Sequence, residues 1–102
     1  SEASKIAEHY KIDTKTLFKN ISNCSGDSFA LKNHGLKSIV QDNFPNPAFS
    51  VKYAQKDLSY ALEMADQMGL STPGSTTINN LFSKAIDEGY GDLYFPVIKK
   101  IL

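Results

Sequence analysis

Apolar side chains recur at three- and four-residue steps along most of this chain, the spacing that aligns one face of an α-helix. The clearest run is Val51, Ala54, Leu58, Ala61, Leu62, Ala65 and Met68, closed by Gly69, a residue suited to the position just past a helix. Ser71 and Thr72 followed by Pro73 predict the next start, a capping residue and then a first-turn proline, although Gly74 weakens the opening turn. Ile78, Leu81, Phe82, Ala85 and Ile86 give that helix its buried stripe. Gly89 and Gly91 then bracket a turn in which Asp92 can cap, and residues 93–102 predict a terminal helix carrying Phe95, Val97, Ile98, Ile101 and Leu102.

The first half is patterned over shorter stretches. Ala3, Ile6, Ala7 and Tyr10 fall on one helical face with no capping residue in front, the pattern expected where a helix is entered in mid-course and the chain continues a longer polypeptide. Asp13 or Thr14 is placed to cap a short helix with Leu17, Phe18 and Ile21 on one face. The polar run SNCSGD predicts a turn at 22–27. A helix is expected over 28–40, with Phe29 or Ala30, Leu31, Leu36, Ile39 and Val40 as its apolar contacts. QDNFPNP at 41–47 reads as an extended connector, because each proline disfavours helix in the residue before it. No segment alternates as a half-buried strand does, and no repeat or low-complexity tract interrupts the helices. The pattern predicts an all-α fold, a single compact domain of five or six helices on one core.

Composition changes that picture mainly by exclusion. With 102 residues the chain is one domain's worth of sequence and too short for a two-domain enzyme. Lys plus Arg (11) balance Asp plus Glu (11), so no net positive field draws in nucleic acid or an anionic membrane, and neither partner is expected. Cys24 has no second cysteine to pair with, and His9 and His34 have no ligand-like partner a helical turn away, so no metal site is expected. The absence of any long apolar run or signal-peptide pattern predicts a cytoplasmic protein or one of another reducing intracellular compartment.

The most informative constellation is FSVKYAQKDLSYAL at 49–62. Lys56 and Asp57 fall off the centre of the apolar stripe, on a flank facing solvent or a partner domain. Adjacent helical residues do not face each other, so a simple mutual salt bridge is not expected.

At these residues the chain resembles the C-terminal helical domain of the β-hydroxyacid dehydrogenase family, which includes 3-hydroxyisobutyrate dehydrogenase and the glyoxylate and succinic semialdehyde reductases. The resemblance runs in order through SEASKIAEHYKID, where Lys11 stands at a position commonly glycine, then SGDSFALKN at 25–33 and PAFSVKYAQKDLSYAL at 47–62. It continues through MGLSTPGSTT at 68–77 and GYGDLYFPVI at 89–98, where Tyr94 and Pro96 replace an expected aspartate and serine.

The resemblance implies the fold of the C-terminal domain of 6-phosphogluconate and 3-hydroxyisobutyrate dehydrogenases, a substrate-capping and oligomerisation domain. It implies NAD or NADP as cofactor, a small hydroxy acid or aldehyde as substrate, and an N-terminal Rossmann domain and a second copy of the chain as partners. Lys56 matches the lysine that reaches the nicotinamide cofactor, a flexible donor suited to ribose and carboxamide oxygens. Asp57 matches the aspartate near the substrate, and Phe49 an aromatic wall of the substrate pocket. The family's glycine-rich dinucleotide turn and its catalytic Lys-x-x-Asn motif have no counterpart among these residues, so no dehydrogenase activity is expected of the chain alone. Two other readings stand beside this one: a stand-alone helical interaction or dimerisation module, and a domain of a glyoxylate or succinic semialdehyde reductase.

Overall fold

Six helices follow one another in the computed structural model, which describes all 102 residues: α1 (Glu2–His9), α2 (Thr14–Ile21), a π-helix (Leu31–Ile39), α3 (Val51–Gln67), α4 (Pro73–Asp87) and a 3₁₀ helix (Phe95–Ile101). The all-α expectation holds. None of the helices is long and apolar enough to cross a membrane. The chain divides into two compact units, Ser1–Phe44 together with Leu102, and Pro45–Ile101.

In the first unit the buried apolar side chains are Ala7, Phe18, Ile39 and Phe44. Of the apolar face of α1 only Ala7 is buried, beside Ser4, while Ile6 and Tyr10 are 60% and 70% exposed. A serine can occupy that position because its hydroxyl donates to the carbonyl of Ser1 at 2.6 Å, leaving no unpaired polar atom inside. Asp13 caps α2, its carboxylate accepting from the backbone N–H and the hydroxyl of Thr16 at 2.7 and 2.6 Å. The helix expected over 28–40 forms with π geometry over Leu31–Ile39, and the Val40 N–H reaches the Gly35 carbonyl five residues back. Phe18 lies so close to Gly35 that a Cβ there would sit 2.9 Å from its ring. Phe29, assigned to the core by its spacing, is 75% exposed and meets His34 edge-to-face. Ala30 is exposed as well.

In the second unit Val51, Ala65, Phe82, Ala85, Val97 and Ile101 form the core. Gln55 on α3 ties to α4, its amide donating to the Ser83 hydroxyl at 2.7 Å. Ala61 and Met68, counted in the buried stripe of α3, are exposed, Met68 at 78%. The reason is geometric, since a stripe read at mixed steps of three and four drifts around a helix of 17 residues. The terminal helix begins at Phe95, not at residue 93, and is 3₁₀. Lys84 donates to the Ile101 carbonyl at 2.8 Å near its end.

Three helices finish in the same way. After α1, α3 and α4 a residue with positive φ (Lys11, Gly69 and Gly89) donates to the carbonyl of Glu8, Asp66 and Ile86 respectively. The next residue, Ile12, Leu70 or Tyr90, donates to the carbonyl of Ala7, Ala65 or Ala85. This is the paired closure of a Schellman motif, and it satisfies carbonyls that the helix leaves without partners. Each time the inner acceptor is a buried alanine.

Lys11 has φ of 58°, a conformation in which its Cβ crowds the following carbonyl and glycine does not. Replacing Lys11→Gly is expected to stabilise the chain by about 0.5 to 1 kcal/mol, read as a higher urea midpoint at unchanged slope. A midpoint that stays or falls overturns this assignment of strain. The Asp13 carboxyl is held below the usual carboxylate range, first by the Thr16 hydroxyl and then by the Thr16 backbone N–H. A carboxylate whose folded pKa is depressed stabilises the fold above its unfolded value near ~3.9, and that contribution disappears as pH falls through the folded pKa. The melting-temperature gap between wild type and Asp13→Ala should therefore be steady near neutrality and close in acid, and a gap that persists at low pH contradicts it.

Candidate functional site

The candidate site is built on the start of α3. The first N–H groups of a helix lack partners within it, and here a second segment supplies them. The N–H of Val51 donates to the carbonyl of Leu93, and that of Lys52 to the carbonyl of Gly91, both at 3.0 Å. One residue earlier the Phe49 carbonyl accepts from the N–H of Phe95, also at 3.0 Å, so Ser50 and Tyr94 form an isolated antiparallel bridge. Ser50, nearly buried, caps the helix through a 3.3 Å bond from the Tyr53 N–H to its hydroxyl. Three donors of the first turn are consequently consumed by the protein itself. The bridge brings 49–52 against 91–95, two stretches separated by about forty residues that the sequence reading treated as a helix start and a turn. Its only sequence trace is the pair of flanking glycines and the residues Phe49 and Phe95.

Side chains follow this backbone. Lys52 passes over Gly91, where a Cβ would lie 2.8 Å from the lysine Cε, and its ammonium meets both carboxylate oxygens of Asp92 at 2.8 and 3.0 Å. Asp92, expected to cap the terminal helix, forms this ion pair instead. Phe49 is 47% exposed, stacked on Tyr53 with ring centroids 6.5 Å apart and 24° between planes, and edge-on to Phe95 at 6.0 Å. Ser50, Lys52, Tyr53, Lys56 and Asp92 line a shallow open depression beside it. A second depression, lined by Leu62, Asp66, Leu70, Ser71, Thr72 and Thr76, lies at the other end of α3.

Lys56 projects from the same face of α3 as Tyr53, three residues before it, and Tyr60, four residues after it. Its ammonium sits 5.3 Å from the centre of the Tyr53 ring and 5.8 Å from that of Tyr60. The Asp57 carboxylate also approaches it, at 3.4 Å, so the two adjacent residues do make the contact that helical spacing argues against. The lysine stem is long enough to bend back across its neighbour. At about half exposure, this ion pair is worth no more than ~1 kcal/mol, comparable with each ring contact. The amine is therefore held by several weak contacts and remains open to a further acceptor.

Of the residues singled out in the sequence, the structure joins Phe49 and Lys56 through Tyr53 and sets Asp57 against Lys56. His9 and His34 lie elsewhere, against Tyr10 and Phe29, and Cys24 is exposed. No group of three or more His, Cys, Asp or Glu side chains converges as a metal site would require. Tyr53, Tyr60, Phe95 and the Lys52–Asp92 pair were missed. The signal for the two tyrosines was present, as aromatic residues at helical spacing on either side of a lysine lying off the buried stripe.

Comparison with known proteins bears on this arrangement. Residues 1–100 match the family model described as NAD-binding of NADP-dependent 3-hydroxyisobutyrate dehydrogenase. The glyoxylate/succinic semialdehyde reductase 1 of Arabidopsis thaliana is 38% identical over 61 residues, covering 60% of this chain and 21% of the relative. The uncharacterized oxidoreductase YkwC of Bacillus subtilis (strain 168) is 32% identical over 89 residues, covering 87% of this chain and 30% of the relative. A 3-hydroxyisobutyrate dehydrogenase from Salmonella typhimurium shares the fold, with a TM-score of 0.90 over 99% of this chain and 35% of that one, at 23% identity. The chain thus spans between about a fifth and a little over a third of the length of these relatives. Its match along nearly the whole sequence shows that the chain belongs to the 3-hydroxyisobutyrate dehydrogenase-like family of NAD(P)-dependent oxidoreductases.

Proposed function

We propose that this chain is the C-terminal, substrate-capping and oligomerisation domain of an NAD(P)-dependent dehydrogenase, one that interconverts a small 3-hydroxy acid with its semialdehyde or keto form. The observation that carries the reading is Lys56, an ammonium presented to solvent from α3 beside the exposed ring of Phe49. The donor set fits part of a nicotinamide dinucleotide: Lys56 can donate to ribose or carboxamide oxygens, and Phe49 offers an apolar wall beside a planar ring or a small substrate. It does not fit the pyrophosphate. The residues carry no glycine-rich strand-to-helix turn, and the N–H groups at the start of α3 already have protein acceptors.

The cofactor supplies hydride chemistry when bound, and in this reading the domain contributes position and enclosure. Lys56 holds the cofactor's polar edge, Phe49 excludes water from one side of the substrate, and Asp57 supplies a carboxylate beside Lys56 near the substrate. No lysine of the chain stands in a Lys-x-x-Asn sequence, so the general acid of the reaction is assigned to the nucleotide-binding partner domain. The likeness to the plant reductase makes glyoxylate or succinic semialdehyde the alternative substrate of the same site.

Lys56→Ala, tested in this domain joined to its nucleotide-binding partner, should weaken NADPH binding by about 1 to 3 kcal/mol, the value of a hydrogen bond to a charged group. Unchanged affinity in a titration followed by NADPH fluorescence would remove Lys56 from the cofactor site and favour a helical interaction module. The oligomerisation role is supported by the exposed apolar side chains Ile6, Tyr10 and Phe29. Light scattering across a dilution series should give a mass that falls toward the monomer only at low concentration, and a strictly monomeric mass throughout argues against that role.

A further inference from the structure

The rings of Tyr53 and Tyr60 are more than half exposed, on the face of α3 away from its buried stripe, and contribute little to the core. Exposed tyrosines at those positions need another reason, and their geometry toward Lys56 supplies one. Tyr53 precedes the lysine by three residues and Tyr60 follows it by four, the two spacings that bring helical side chains together. Both ring centres lie within about 6 Å of the ammonium, the range over which a ring quadrupole attracts a cation. Tyr53 is in turn stacked on Phe49, which meets Phe95 edge-on, so one side of the pair is anchored to the bridged backbone.

We infer that Tyr53 and Tyr60 are positioning residues that clamp the Lys56 ammonium in the orientation in which it receives the nicotinamide cofactor, an inference that rests on the proposed role of Lys56. A free lysine samples many rotamers and loses that freedom when it binds. Two ring faces spaced along the helix restrict the amine beforehand and engage only part of its three donors, leaving N–H capacity for a ligand oxygen. Asp57 acts in opposition. Its carboxylate, 3.4 Å from the amine, draws Lys56 toward the neighbouring residue, and the rings limit that excursion.

The test separates this inference from the cofactor reading beneath it. In the chain labelled with ¹³C-lysine, the Lys56 ε-methylene protons should resonate upfield through ring currents, and Tyr53→Leu and Tyr60→Leu should each move them toward the position of an unshielded lysine. The absence of any such shift overturns the clamp whatever the cofactor does. In the domain joined to its nucleotide-binding partner, each leucine variant should weaken NADPH binding about two- to fivefold, with Tyr53→Phe and Tyr60→Phe restoring it, since phenylalanine keeps the ring face. In the Lys56→Ala background the same leucine substitutions should change nothing further. Equal losses in both backgrounds would mean that the rings contact the cofactor directly or support the fold, and would overturn the clamp. Loss of affinity on Lys56→Ala with none on the leucine variants overturns the clamp alone. Lys56→Ala without effect overturns the cofactor reading, and with it the positioning role, even where the ring-current shifts are present. Urea midpoints of the leucine variants close to wild type, as expected for exposed side chains, exclude unfolding as the cause of any loss.

Discussion

The start of α3 poses a problem of backbone valence, since a helix of 17 residues begins with N–H groups that have no acceptor inside it. In this protein the acceptors come from residues 91–93, and one further bond from the N–H of Phe95 to the carbonyl of Phe49 completes a short antiparallel contact. Much of the candidate site follows from that pairing. It brings Asp92 to Lys52, sets Phe95 against the edge of Phe49, and carries the lysine stem across Gly91, where there is no side chain to displace it. It also removes the helix terminus as an anion site, because donors that would otherwise face a phosphate are already engaged. The positive charge left for a ligand is a side chain, Lys56, a turn farther along the helix.

Much of this architecture is readable from residue order where local chemistry fixes it. Gly69 and Gly89 end α3 and α4 because each closes a Schellman motif in a left-handed conformation, and Thr72 with Pro73 opens α4 where expected. The same motif ends α1 at Lys11, where the sequence lacks its usual glycine and the structure keeps the conformation regardless. There the paired closing bonds, from the Lys11 N–H to the Glu8 carbonyl and from the Ile12 N–H to the Ala7 carbonyl, are made in spite of a local steric penalty of about 1 to 2 kcal/mol. Backbone pairing at the helix end overrides a residue preference.

The readings that fail do so for identifiable reasons. Two-turn helices give too few positions to fix a face, so the burial of a self-satisfied serine, Ser4, beside Ala7 on α1 is not readable from spacing. π geometry leaves little mark on a pattern of three- and four-residue steps, and Phe29, placed inside by that pattern, lies ahead of the π-helix and is exposed. The antiparallel bridge is a single pair, Ser50 with Tyr94, too short for strand alternation to announce. Within the candidate site, Phe49, Lys56 and Asp57 come from a resemblance between sequences, whereas Tyr53 and Tyr60, though spaced in the sequence to meet Lys56, are joined to it only on the outward face of the built helix.

That outward face is why α3, whose inner stripe is the clearest in the sequence, is not simply amphipathic. Its inner side carries Val51 and Ala65, yet Tyr53, Tyr60 and Met64 are exposed on the rest of its surface, and Met68 just past its end. Energetic economy alone gives no reason to place four large apolar groups in water. A lysine among them changes the balance, since an aromatic face that is poorly solvated is a better neighbour for a cation than water-exposed aliphatic carbon would be. Asp57 holds the same ammonium only through a half-exposed contact, which solvent screens, so a ligand oxygen can displace it at small cost. Enclosure of this face by another domain would strengthen every charge contact there as water left, and the partner able to exploit the change is one that brings an acceptor to Lys56 and a planar or apolar surface to the rings.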